Sequence, residues 1–154
     1  MGLIFMDSSA VVKRYVQEAG SAWVGGLFTA APVNEITIVA LTGVEVVAAI
    51  TRRVRNGTIS PADAAAACAL FLTDLNTDYQ VVAVSNALLR QAIRLAQLYS
   101  LRGYDAVQLA AANEVSRMRV TAGAKPLIFV SADKELNAAA LGAGLSVDSP
   151  NLHL

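Results

Sequence analysis

The 154-residue sequence holds one cysteine, Cys68, and one histidine, His153. A lone cysteine excludes an intramolecular disulfide, and a Cys/His zinc site cannot be assembled from this pair. The histidine is the penultimate residue, which argues against a His-based triad. Net charge is also missing, because twelve Lys and Arg balance twelve Asp and Glu. A general nucleic-acid binder shows a basic excess, so any such contact here has to come from a local basic patch. Low-complexity runs are absent, and 55% hydrophobic against 16% charged residues excludes intrinsic disorder. The longest apolar stretch, Ile36 to Ile50, is short for a membrane span and is interrupted by Thr42 and Glu45. The opening MGLIFM lacks the basic segment and cleavage pattern of a signal peptide. The expectation is a soluble, cytoplasmic protein with no membrane partner. Its chemistry falls to carboxylates, hydroxyls, Lys and Arg.

What is present reads as one domain over residues 1–154, long enough to bury a core unaided. Apolar runs at 3–5, 35–39, 80–84 and 126–130 predict buried strands, and LSV at 145–147 predicts a fifth. Helical patterns lie between them. In SPADAAAACALFLTDL, Ser60 is the predicted N-cap and Pro61 the first helical residue. NALLRQAIRLAQLYS puts Leu88, Ala92, Leu95 and Tyr99 on one face, and YDAVQLAAANEVSRMRV does the same with Val107, Ala111 and Met118. Cys68, in AAAACALFL, reads as a small core residue. The alternation predicts a three-layer α/β/α domain with a central, mostly parallel sheet, whose ligands collect at the carboxyl ends of its strands.

Four acids stand at such transitions. Asp7 follows LIFM, Asp133 follows LIFV with Ser131-Ala132 between, and Glu45 and Asp105 lie at predicted helix starts in ALTGVEVVAAI and LRGYDAVQLAAA. Each has an ordinary explanation. Acids in a first helical turn complement the macrodipole, and Thr42-Gly43-Val44-Glu45 fits a capping box. Asp7 fits capping least well, since Ser8 or Ser9 would cap without a charge. Two carboxylates about 6 Å apart repel by roughly 3 kcal/mol at an effective dielectric of about 20, and four together cost on the order of 10 kcal/mol. A cluster would therefore need protons or a cation, and oxygen ligands suit Mg²⁺ or Mn²⁺.

At these residues the sequence resembles the PIN domain, and within it the VapC-like ribonuclease toxins of type II toxin–antitoxin pairs. DSSAVVKRYVQEAGS is similar to the first family motif, LTGVEVVAAITRRVRNGTIS to the second, LRGYDAVQLAAA to the third and FVSADKELNAAALGAGL to the fourth. The resemblance spans nearly the whole chain. It implies a divalent-metal-dependent endoribonuclease that cleaves RNA phosphodiesters with metal-activated water. By the same resemblance Asp7 and Asp105 are the main metal ligands, and Glu45 and Asp133 complete the catalytic acids. Ser8 and Ser131 would orient carboxylates, or serve simply as N-caps. A VapB-like antitoxin and a homodimeric state are further implications. The family often has a histidine just after the Asp-Ala-Val segment begun by Asp105, where this chain has Gln108.

Lys13, Arg14, Arg52 and Arg53 are the candidate RNA contacts, the last two with Arg55 closing the second-motif helix. Cations there also complement the helix dipole, and the first two could be a solvated face. Three alternatives stay open. A receiver-like phospho-acceptor wants an acidic pair after the first strand and a Lys after a late one, whereas Lys125-Pro126 precedes its strand here. A dehalogenase-like phosphatase wants a second Asp two residues after the first, where Ser9 stands. An inactive PIN-like module would bind RNA or protein without turnover.

Overall fold

The computed structural model describes residues 2–154. Its centre is a sheet of β1 (Leu3–Met6), β2 (Glu35–Val39), β3 (Gln80–Val82), β4 (Ile128–Val130) and β5 (Ser146–Asp148). Every pairing is parallel and the order is β3-β2-β1-β4-β5. The five strand segments expected from the sequence are all present, within two residues at each end, but β3, expected buried, is largely exposed because it lies at the sheet edge. The register pairs Phe5 with Thr37 on one side and with Phe129 on the other.

Seven helices cover the sheet: α1 (Ser8–Tyr15), α2 (Ser21–Thr29), α3 (Leu41–Arg55), α4 (Pro61–Asp74), α5 (Asn86–Tyr99), α6 (Gly103–Thr121) and α7 (Lys134–Gly142). Strand side chains alternate between two cores, as a pleat requires. Leu3, Phe5, Val39 and Phe129 face a cluster with Leu88, Leu109 and Leu136 of α5–α7. Ile4, Met6, Ile36, Ile38 and Val130 face a second cluster with Val11, Val46, Ile50 and Phe71 of α1, α3 and α4. Strands covered on both faces read as continuous apolar runs, which is why they were visible in the sequence. The result is the three-layer α/β/α architecture, with a wholly parallel sheet.

The order has a functional corollary. From β1 the chain winds outward through β2 and β3, then returns to the other side for β4 and β5. The crevice at β1/β4 is therefore the switch point where such sheets hold their ligands, and Asp7 and Asp133 follow those two strands.

Local signals behave as their chemistry dictates. Ser60 caps α4, accepting from the Asp63 amide at 3.0 Å, with Pro61 at the first helical position. In α6 the expected stripe ends early. Residues 106–112 are all buried between α5, α7 and the sheet, whereas Met118 is 64% exposed where the last turns run past the core. Helix α2 had no strong periodic signal in the sequence. Cys68 is only partly buried, against the α3–α4 core.

The rings of Phe5 and Phe129 stack across β1 and β4 at 5.9 Å, directly beneath the switch point. Phe129→Ala is expected to cost about 3–5 kcal/mol, measured by urea denaturation, because it empties the junction that holds those strands side by side.

Candidate functional site

Asp7 ends β1 with its side chain 3% exposed. It is itself the N-cap of α1: its Oδ1 accepts from the Ala10 amide at 3.1 Å. Contrary to the sequence expectation, neither serine replaces it as cap. Ser9 instead donates to Asp7 Oδ1 at 2.7 Å, and Ser131 donates to Oδ2 at 2.8 Å. The Ser9 hydroxyl oxygen accepts from the Ala132 amide at 2.9 Å, and that of Ser131 accepts from the Asp133 amide at 3.0 Å. Two hydroxyls thus tie the end of β1 to the start of α7. Ser131 occupies the carboxylate-orienting place expected for it. Ser8 does not, since it makes no side-chain hydrogen bond among the described residues, and Ser9 takes that part.

Glu45 lies in the second turn of α3, with Ala40 at the N-cap position and no side-chain cap. The capping-box reading therefore fails. Thr42 is buried and turned inward, where its hydroxyl oxygen accepts from Gln108 Nε2 at 3.0 Å. The same Nε2 donates to Glu45 Oε1 at 2.8 Å. Gln108 is 1% exposed, and its Oε1 has no partner. A buried amide thus aims a carboxylate.

Asp105 is in the first turn of α6, and Asp133 caps α7 by accepting from the Leu136 amide at 3.0 Å. Arg102 lies 3.7 Å from a carboxylate oxygen of each, so the two acids share one guanidinium. Burial raises the Asp105 pKa, the charges of Asp133, Glu45 and Glu135 add to it, and Arg102 opposes. Asp7 is pushed up to about 7 by burial, against the pull of Ser9, Ser131 and Ala10, with a further upward push from Asp105. Asp105 is thus within electrostatic reach of Asp7, Glu45 and Asp133. The donors are all oxygen, which suits a hard cation. As the side chains stand, each is aimed at a protein donor, and no three Asp, Glu, His or Cys among the described residues converge as a metal-holding group.

The candidate basic contacts divide. Lys13 is 6% exposed and binds Glu18 at 3.1 Å and the Ala19 carbonyl at 2.9 Å. Arg14 pairs with Asp78 at 2.7 Å and Asp74 at 3.4 Å, and lies over the Phe28 ring at 3.7 Å. Arg53 pairs with Glu18. These three pair with carboxylates and knit α1 to its neighbours. Arg52 is exposed and pairs with no carboxylate among the described residues. It lines a groove of about 420 Å³ together with Ser8, Ser9, Glu45 and Tyr104.

No family model and no curated protein sequence matches the chain. Solved structures do. PAE2754 from Pyrobaculum aerophilum superposes with TM-score 0.64 at 20% identity, over 98% of this chain and 85% of that one. VapC20 from Mycobacterium tuberculosis, a Sarcin-Ricin loop cleaving toxin, gives 0.62 at 21% identity over 88% and 94%. The chain has the PIN fold of VapC-type toxins. A toxin–antitoxin complex from Klebsiella pneumoniae gives 0.59 at 17% identity over 96% and 97%. At these identities it is the VapC-type fold that is shared. None of the described helices is long and apolar enough to cross a membrane.

Two measurements follow. A carboxyl whose folded pKa lies above its unfolded one binds a proton on folding, so its contribution to stability falls as pH rises from about 4 to about 7 and is flat above. In EDTA, Asp7→Asn is expected to be more stable than wild type at pH 8, by on the order of 4 kcal/mol at most, with the gap closing below about pH 4; thermal melts across pH read this. Gln108→Leu leaves Glu45 and Thr42 without their donor and should cost about 1–3 kcal/mol in urea denaturation.

Proposed function

We propose that the chain is a divalent-metal-dependent endoribonuclease, the toxin of a VapBC-like pair. The observation that supports this reading is that Asp7 and Asp133 follow the two strands of the β1/β4 switch point, with Asp133 sharing Arg102 with Asp105. Burial holds the proton affinity of Asp7 and Asp105 high, and neighbouring carboxylates add to it.

Asp7 and Asp105 would be the main ligands of Mg²⁺ or Mn²⁺, with Glu45 and Asp133 completing the set. The donor chemistry fits such an ion, and the crowding of like charge is what it would relieve. When bound, the ion supplies Lewis-acid polarisation of the phosphate and a lowered pKa for a bound water. The chain's own groups do the rest. Ser9 and Ser131 hold Asp7 in one rotamer, and Gln108 holds Glu45. Arg102, with its side chain 81% exposed, is free to exchange Asp105 and Asp133 for an RNA phosphate. A VapB-like antitoxin would be the natural restraint on such an enzyme. Pairing of two copies through the exposed Leu89 and Ile93 of α5 belongs to the same reading.

One observation favours a second reading: the carboxylates are aimed at separate donors, as they would be in a PIN-like module that binds RNA without cutting it. Cleavage of labelled RNA with Mn²⁺ decides between them. Asp7→Asn and Asp105→Asn should each lower the rate at least about 100-fold, and equal cleavage by all three proteins would assign any activity to a contaminant.

A further inference from the structure

We propose that the groove between α1 and α3 seats the nucleotide next to the cleaved linkage of a single-stranded RNA, with Tyr104 stacking on its base and Arg52 pairing with its phosphate. The inference rests on the nuclease reading and names two residues that would contact its substrate.

The groove's 420 Å³ lies within the roughly 300–1,000 Å³ typical of sites for small organic groups. Its floor along α3 is small, with Ala48 between Glu45 and Arg52. One end opens onto the acids, since Glu45 and Ser9 line it and Ser9 holds Asp7. At the other end stands Arg52, exposed and unpaired, the one of the four expected phosphate contacts that the fold has not used internally. Seven residues of helix separate Glu45 from Arg52, about 10 Å along the axis. That span sets the Arg52 backbone about two helical turns from Glu45, where its side chain can reach a phosphate neighbouring the one at the acids.

Tyr104 supplies the second half of the recognition. It adjoins Asp105 yet is 64% exposed, and it borders the groove. An aromatic ring beside a cation on a concave wall matches the alternation of base and phosphate along a single strand, where each base has a free π-face. In a duplex those faces are stacked inside the helix and out of reach. Tyr104 also borders an apolar cavity lined by Leu89 and Ile93, so a second copy of this chain is the competing occupant.

The test uses the full chain in EDTA, a short labelled single-stranded RNA and fluorescence anisotropy over a range of salt. Tyr104→Ala and Tyr104→Leu should each weaken binding about 5- to 100-fold, with Tyr104→Phe close to wild type. Arg52→Ala should weaken binding and make the slope of log K against log salt shallower by about 0.7, with Arg52→Lys retaining it. Sedimentation of all variants should match wild type. Both side chains are exposed, so folding is not at issue, and thermal melts check this.

The proposal fails if wild type does not bind, or if Tyr104→Leu binds as wild type does. It fails equally if Arg52→Ala leaves the salt slope unchanged, if the duplex form binds as tightly, or if Tyr104→Ala dissociates a dimer. Cleavage with Mn²⁺ is scored separately. Weakened binding by these variants with no cleavage by any form removes the nuclease reading and leaves the groove. Cleavage by wild type that is undiminished in both variants at sub-saturating RNA removes the groove and leaves the nuclease.

Discussion

Asp7 is a carboxylate in the interior, and the architecture around it is organised to accommodate that burial. Its two oxygens accept from Ser9, Ser131 and the Ala10 amide, so it begins α1, ends β1 and clasps the segment after β4 at once. An isolated ionised carboxyl at this depth would be costly, and even with these bonds its proton affinity stays high. The parallel pairing of β1 with β4 places Ser131 within reach, and the capping geometry of α1 places Ser9. One charged group thereby fixes the relation between strand, helix and loop at the centre of the sheet.

The other acids are arranged around this fixed point by weaker and more adjustable means. Gln108 holds Glu45 with a single hydrogen bond from inside α6, and Arg102 spans Asp105 and Asp133 from the solvent side at distances too long for tight pairing. A graded site results, rigid at Asp7 and loose at its rim. Such a gradient suits a site where one ligand sets position and the others adapt to an incoming cation and phosphate.

Much of this was legible in the sequence for identifiable reasons. The central strands β1, β2 and β4 were visible because parallel strands buried on both faces cannot conceal their apolar runs, and Ser60-Pro61 marked a helix start by its own chemistry. The four acids drew notice because each falls at or near a strand or helix end. What could not be read was the direction of side chains near them. Thr42 and Glu45 have capping-box spacing, yet Thr42 turns inward to a glutamine sixty-six positions away. Lys13 and Arg14 have the spacing of a solvated face, yet Glu18, Asp74 and Asp78 draw them in. Ser9 was concealed beside Ser8, and only the proximity of residue 132 distinguishes them. Long-range partners decide these cases, and local pattern carries no record of them.

The clasp between positions 7 and 131 bridges 124 residues of chain. During synthesis, a ribosome-bound polypeptide that has emerged only as far as β3 already contains the first two acids but neither hydroxyl nor carboxyl from the returning half. Assembly of the constellation must await the late strand, because β4 inserts beside β1 only after the intervening helices are made. The acids of the two halves therefore meet only when the chain is nearly complete, and translation itself times that meeting.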